Sequence, residues 1–223
     1  MEDLTAHAVE AALKAGASYA DARYVSQKRE ETRVKNGAAE GLHAGSSTGI
    51  GIRVLAEGAW GFAATATLTL EALEAAAQQA VRIARASAAT RSEPVQLSPL
   101  EPAEGRFPAT ARQNPFDVPM DKRVQLLLDC DHLMAEAAEV QLRGGHVEIL
   151  HEEKYFESSE GARIYQERIE TGAGIECTAV APDGSEMQRR SYPGSHSGQT
   201  AQRGWELVEE LDLPGHAEEI ARG

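Results

Sequence analysis

Residues Gly49 to Ala64 read Gly-Ile-Gly-Ile-Arg-Val-Leu-Ala-Glu-Gly-Ala-Trp-Gly-Phe-Ala-Ala, two alternating runs that meet at Glu57-Gly58. Ile50, Ile52 and Val54 alternate with Gly51, Arg53 and Leu55, the period-two pattern that sends successive side chains to opposite faces of a strand. Glu57-Gly58 supplies the positive φ that a tight turn requires before Ala59-Trp60-Gly61-Phe62 runs back. The segment is therefore predicted to be a β-hairpin. Trp60 and Phe62, two apart on one face, are expected to pack on the helix that follows, the alternative being an interface patch. The three glycines between Gly45 and Gly51 do not make a phosphate cradle, because the run continues into a strand instead of opening a helix.

The flanking sequence extends this pattern. Leu4, Ala8, Ala11, Ala12 and Ala15 recur at helical spacing, and Gly16 stands where a positive-φ residue ends a helix. From Tyr19 to Thr65 the period is two, with Asn36-Gly37 as a further turn, which predicts an antiparallel meander. Thr69 is the expected N-cap of a helix whose inner face carries Leu70, Leu73, Ala77, Ala80 and Ala84.

From Ser87 to Pro119 the periodicity dissolves, and six of the nine prolines fall there. The stretch reads as an inter-domain linker. Pro119 suits the first turn of a helix running to about Glu139, with Val124, Leu127, Leu128, Met134 and Ala138 as its stripe and Leu126, Cys130 and Leu133 broadening it. Strands are expected over Val140 to Phe156, Ala162 to Glu167, Ile175 to Val180 and Glu186 to Tyr192, and a short helix near Pro214. The fold class is α+β: two domains, each a helix plus a curved antiparallel sheet, joined by a Pro-rich linker. The expected limits are 1–86, 87–118 for the linker, and 119–223.

Composition removes several function classes. A formal net charge of −13 repels phosphate, and without any Lys/Arg run direct nucleic-acid binding is not expected. No stretch approaches the ~20 apolar residues of a membrane span. Met1-Glu2-Asp3-Leu4 begins no secretory or transit segment, so no membrane partner and a soluble, cytoplasmic setting are expected. Cys130 and Cys177 stand far apart without a Cys-Xaa-Xaa-Cys spacing, and buried reduced thiols are the expectation.

The candidate chemical sites each have a plain alternative. His151-Glu152 lies in an alternating run that puts the two side chains on opposite strand faces, whereas a metalloprotease motif needs its histidines on one helical face. A half-exposed strand edge is the better reading. His146 and His151, five apart, also point to opposite faces. Ser195-His196-Ser197 lies in a small polar loop with no carboxylate fixed beside it, which suits a flexible connection better than a nucleophile and base. Glu206, Glu209, Glu210 and Asp212 read as a solvated face. No spacing reveals the pocket constellation that an unrelated small-molecule enzyme would need.

Asp21-Ala22-Arg23-Tyr24, the hairpin from Gly49 to Phe62 and the alanine-rich run from Leu70 to Ala86, taken together, resemble the TldD/PmbA family. There an Asp-Ala-Arg-Tyr-like strand precedes a Gly-Xaa-Gly-Ile-Arg-Val hairpin and an Ala-rich helix. The Ser-Glu-Gly turn at Ser159-Glu160-Gly161 and the Tyr192 to Gln199 loop also match, so the likeness runs from Leu4 to Arg222. The loop followed by Gly204-Trp205-Glu206 places the chain nearer TldD than PmbA. The resemblance implies a zinc metallopeptidase of the bacterial and archaeal cytosol, also labelled a modulator of DNA gyrase. It implies a homodimer, or a heterodimer with a TldE/PmbA-like subunit, enclosing a cavity for unfolded peptides.

The family's metal helix carries His-Glu-Xaa-Xaa-Xaa-His. Among seven histidines the only His-Glu pair is His151-Glu152, and Tyr155 and Phe156 stand four and five residues beyond His151. No catalytic, cofactor-binding or metal residue therefore carries over to this chain. In the family the metal helix follows an amphipathic helix resembling His216 to Arg222, so zinc is expected in a C-terminal domain missing here. The implied function is the non-catalytic first and central portion of a TldD-like zinc metallopeptidase, supplying dimer scaffold and substrate cavity. The alternative is a free-standing interaction module that scaffolds a catalytic partner subunit.

Overall fold

A computed structural model describes residues 1–194 and 198–222. The element order is α1 (Glu2–Lys14), β1 (Tyr19–Lys35), β2 (Ala38–Ala56), β3 (Ala59–Thr65), α2 (Leu70–Ala88), β4 (Glu104–Phe107), α3 (Met120–Ala135), β5 (Val140–Ser158), β6 (Arg163–Val180), β7 (Met187–Tyr192), β8 (Gln199–Ala201), α4 (Glu206–Leu211) and α5 (Leu213–Arg222). The fold is α+β, with strands in the order β3-β2-β1-β5-β6-β4 and both β7 and β8 on β6. β4 pairs parallel with β6; β3 on β2, and β7 and β8 on β6, pair antiparallel. Among the described residues no helix is long and apolar enough to cross a membrane.

The chain divides into two compact units that are discontinuous in sequence. The first comprises residues 1–27, 46–108 and 152–167; the second comprises 28–45, 109–151 and the residues from Arg168 onward. β1, β2, β5 and β6 each pass from one unit into the other along their length. The predicted strands at Ala162 to Glu167 and Ile175 to Val180 are one continuous strand, β6. The Pro-rich stretch holds β4 and a single 3-10 turn at Pro115–Asp117.

In the first unit the hairpin forms as its sequence dictates. Glu57 and Gly58 take φ of 52° and 74°, and Ala56 stands opposite Ala59. Ile50, Ile52 and Val54 are buried with Ala20, Ala22 and Tyr24 of β1 beneath Ala8 and Ala12 of α1 and Leu73, Ala77, Ala80 and Ala84 of α2. Thr69 caps α2, its hydroxyl accepting from Ala72 N–H at 3.3 Å. Leu70, expected on the inner face, is 52% exposed in the first turn.

The aromatic pair of the hairpin does not meet α2. Gly61 does: a Cβ built there would lie 2.0 Å from the Ala80 carbonyl oxygen and 2.7 Å from the Ala84 nitrogen. Gly61 faces the helix, so Trp60 and Phe62, one residue to either side, face away from it. Phe62 is 59% exposed. The expected packing of Trp60 and Phe62 on α2 is thus corrected: backbone proximity, available only to glycine, outcompetes burial of the larger apolar surface.

In the second unit Leu127, Cys130 and Met134 of α3 pack with Val147 and Ile149 of β5, Ile175 of β6, and Leu207, Leu211, Leu213 and Ala217 of α4 and α5. α3 ends at Ala135, earlier than expected. Both cysteines are buried and free. Burial, and then the Asp129 charge, push the Cys130 thiol up to about 12. α3 also buries Arg123, whose Nη2 donates to Glu30 of β1 at 2.6 Å. Burial alone would raise the Glu30 carboxyl, but hydrogen bonds from Arg123 and Lys28 outweigh it and hold it low.

Glu209, Glu210 and Asp212 are exposed as the expected solvated face requires, but Glu206 corrects that expectation and works with Glu209 and Glu210 as a clamp. Glu206 is buried, and its carboxylate accepts backbone N–H groups from Gly204 and Arg112, both at 3.1 Å, and from Gln113 at 3.0 Å. Arg112 reaches Glu210 at 2.7 Å, and the Gln113 amide reaches Glu209 at 3.0 Å. Three acidic residues within five positions thus pin the segment that leads to α3. Burial raises the Glu206 carboxyl, yet the backbone donors prevail and hold it at about 2.

Two predictions follow from these contacts. Gly61→Ala forces β3 and α2 apart and lowers unfolding stability by about 3 kcal/mol, measured by urea denaturation. Glu206 titrates at about 2 when folded against about 4.3 unfolded. Its contribution is therefore complete above the unfolded value and disappears as pH falls from there toward 2. Glu206→Gln costs about 2 kcal/mol at neutral pH and flattens the acid limb of the stability-pH profile over that window.

Candidate functional site

In the first unit a groove of about 580 Å3 gathers aromatic and charged groups. The first turn of α1 supplies Glu2 and Thr5, β4 supplies Arg106, and β5 and β6 supply Tyr155, Glu157 and Tyr165. Strand alternation brings Tyr155 and Tyr165 to a common surface, ring centroids 4.7 Å apart, with Tyr24 behind at 6.2 Å from Tyr155. The Arg106 guanidinium lies 4.6 Å over the Tyr165 ring, and its Nη1 is 2.7 Å from Glu2 Oε1.

Two hydroxyls of this groove lie within hydrogen-bond reach of carboxylates, and that of Thr5 also reaches the Glu2 carbonyl oxygen at 2.9 Å. Thr5 Oγ1 donates to Glu157 Oε2 at 3.2 Å, and Tyr165 donates to Glu153 Oε1 at 3.2 Å. Burial, then the charges of Glu167 and Glu153, push the Tyr165 phenol up to about 12. A phenol so placed stays protonated near neutral pH and serves as a donor and a stacking surface, not as a base. The groove can hold apolar and cationic side chains against its tyrosines and carboxylates.

β4 forms the outer wall. Ala103 carbonyl accepts from Arg163 N–H at 2.9 Å, so strand alternation turns Gly105 toward β6 and leaves the N–H and C=O groups of Glu104 and Arg106 pointing outward. β4 stands at one end of the strand order. An extended chain laid along it finds both backbone donors and acceptors.

The family-like residues of β1 and β2 form a separate cluster on the face away from α2. Asp21 is buried and accepts from Arg53 Nε at 2.8 Å and Nη2 at 2.6 Å, and from the Tyr19 hydroxyl at 3.0 Å. Arg53 lies 4.7 Å over Trp60, and Tyr19 meets that ring edge-on at 5.8 Å. Burial and the Asp21 charge push Tyr19 up to about 12. These groups satisfy one another.

The sequence candidates fall as follows. β5, which carries His151 and Glu152, is an interior strand and not the expected edge. Glu152 is buried, paired with Lys154 at 2.7 Å and bonded by Gln27; His151 meets the Phe116 ring edge-on. His146, in the second unit, is lowered by burial and then by Arg33, against the opposing pull of Glu148, Glu31 and Glu176. Gly45 to Gly51 lies within β2. Ser195-His196-Ser197 lies outside the described residues.

The tyrosine groove was not visible in the sequence. Its members come from α1, β4, β5 and β6, and a cue was present only in Tyr155 and Tyr165 flanking a turn.

Comparison with known proteins gives the chain its relatives. Residues 20–84 match the model of PmbA/TldA metallopeptidase domain 1, and residues 113–222 match that of the PmbA/TldA metallopeptidase central domain. A metalloprotease of Methanothermobacter thermautotrophicus is 28% identical over 92% of this chain and 41% of its own length. A metalloprotease of Methanocaldococcus jannaschii is 23% identical over 77% of this chain and 38% of its own. The chain thus spans less than half the length of these relatives.

Among solved structures, a protein of Bacteroides thetaiotaomicron described as a modulator of DNA gyrase superposes with a TM-score of 0.75 at 14% identity, covering 98% of this chain and 48% of that one. TldE of Thermococcus kodakarensis superposes with a TM-score of 0.73 at 14% identity, covering 98% and 46%. At these identities the superpositions show the fold.

Proposed function

The chain belongs to the PmbA/TldD family of metallopeptidases, and from that premise we propose that it is the first and central portion of a TldD-like zinc peptidase, binding unfolded peptide without cleaving it. Residues 1–86 and 119–223 take the two domain roles, and 87–118 connects them in sequence while lending β4 to the first unit. The setting is the cytoplasm, and the partner is a second copy or a TldE/PmbA-like subunit. The observation that carries this reading is that the two matched models describe the first and central domains. Their relatives extend well beyond this chain's length.

The residues present do not fit the family's zinc. Its motif needs two histidines and a glutamate on one helical face. The single His-Glu pair here lies on β5 with its members on opposite faces, and Glu152 is engaged by Lys154 and Gln27. No step of hydrolysis is assigned to these residues. Zinc belongs, in this reading, to the family's C-terminal domain.

What this chain supplies is a cradle. The outward backbone groups of Glu104 and Arg106 pair with an extended peptide, which gives affinity with little sequence preference. Tyr155, Tyr165 and Arg106 take up side chains that enter the groove. A folded protein has few free backbone groups to offer, so it is refused.

Fluorescence anisotropy with a labelled unfolded polypeptide tests the reading. Binding is expected to be weak, and Arg106→Pro, which removes one outward N–H without touching the β4–β6 pairing, is expected to reduce it at least tenfold. A fluorogenic peptide incubated with the zinc-loaded chain is expected to remain intact. Its cleavage by the pure chain would overturn the proposal, as would binding of folded and unfolded proteins alike.

A further inference from the structure

Backbone pairing along β4 treats all sequences alike, so selectivity for a bound chain has to come from the side chains beside it. The register of β4 says which those are. Glu104 stands opposite Arg163 and Arg106 opposite Tyr165 in the parallel pair, and Arg106 meets the Tyr165 ring. Glu104 and Arg106 therefore both point to the sheet face that carries the groove. A strand laid on the outer edge of β4 sends every second side chain to that same face, next to Glu104 and Arg106, with the first turn of α1 lining the same groove.

The charges there do not balance. Of the charged side chains that line the groove, Glu2, Asp3, Glu104 and Glu157 are acidic and only Arg106 and Arg163 are basic. Both arginines are taken: Arg106 Nη1 lies 2.7 Å from Glu2 Oε1, and Arg163 Nε lies 3.5 Å from Glu157 Oε1. Asp3 and Glu104, both exposed, are left without a cationic partner among the described residues, and the positive end of α1 offsets only part of this charge.

The aromatic lining suits a cation as well. The groove already receives one guanidinium, that of Arg106, which lies 4.6 Å over the Tyr165 ring while bonded to Glu2. Tyr155 adds a second ring, 4.7 Å from Tyr165 between centroids. The space of about 580 Å3 is what remains with Arg106 in place.

We propose that this groove is a subsite for cationic side chains, so that the unfolded polypeptides bound along β4 are selected for a lysine or arginine. Its charge is met by Asp3 and Glu104, and its stem lies against the tyrosines. An apolar side chain of similar length gains the ring contact but leaves both carboxylates unanswered. An acidic one is repelled by them. The net charge of −13 draws basic polypeptides toward the chain from a distance, and the groove adds a local preference to that attraction. The inference rests on the peptide reading given above, because it needs a chain lying on β4.

Fluorescence anisotropy tests it with three labelled peptides of one uncharged, unfolded host sequence that differ only in a central lysine, methionine or glutamate. The lysine peptide is expected to bind about tenfold more tightly than the methionine peptide, the combined effect of one ring seat and two exposed ion pairs. The glutamate peptide is expected to bind more weakly than either. In an Asp3→Asn, Glu104→Gln double variant the ratio of lysine to methionine affinity is expected to fall to about one. Both positions are exposed, so its circular dichroism should match the parent's. An Asp121→Asn, Asp129→Asn variant, which removes the same charge from exposed positions of the second unit, is expected to keep the ratio. Equal binding of the lysine and methionine peptides by the parent overturns the inference and leaves the peptide reading standing. So does a lysine preference that the groove variant keeps, or that both double variants lose alike, since either assigns it to net charge. If none of the three peptides binds, the reading and the inference fall together.

Discussion

The backbone approach between Gly61 of β3 and the Ala80 to Ala84 turn of α2 sets the character of the first unit. A side chain at Gly61 would collide with main-chain atoms, which cannot swing aside as the end of a flexible side chain can. Because the helix settles on the glycine face of β3, Trp60 and Phe62 are turned outward. The tryptophan is then covered by Arg53 and Tyr19, whose charge and hydroxyl converge on Asp21, while Phe62 stays largely open. The free edge and the neutralised Asp21 cluster are both consequences of that seating. Alanine-rich packing on the inner face serves the same end, since it is small residues that let two layers come this close.

Much of this was legible in the amino-acid order, for local reasons. Asn36-Gly37 and Glu57-Gly58 take left-handed conformations where the sequence offers the residues that tolerate them, and Thr69 caps the helix it precedes. The orientation of β3 was not legible. Pattern reading favours burying the face with the larger apolar surface, and nothing local says that the helix needs contact with bare backbone instead. Glu206 escaped for a different reason: among Glu209, Glu210 and Asp212 it looks solvated, and two of its donors lie more than ninety residues away in the chain. The groove of Tyr155, Tyr165 and Arg106 joins segments whose register is set by tertiary pairing, and β4 is four residues within a proline-rich stretch that shows no period.

The physical division of labour is consistent across the described residues. In the tyrosine groove the Tyr165 hydroxyl donates to a carboxylate, and a phenol held near 12 is suited to contact and not to proton abstraction. The buried charges, Asp21 with Arg53, Arg123 with Glu30 and Glu206 with its backbone donors, are spent on positioning segments. Sheet edges, by contrast, are left with unsatisfied backbone groups, one short and charged beside a groove and one longer and uncharged. Such edges offer backbone groups that an extended chain can pair with. Their chemistry accords with a family portion that gathers substrate for a reaction carried out elsewhere.

Amide hydrogen exchange, resolved to single residues and recorded with and without a saturating unfolded polypeptide, tests that division most directly. The account predicts that the outward amides of Glu104 and Arg106 slow strongly when the polypeptide is present, while those of Gly105 and Phe107, already turned toward β6, change little. Uniform exchange across β4 in both samples, or protection confined to the second unit, would contradict it.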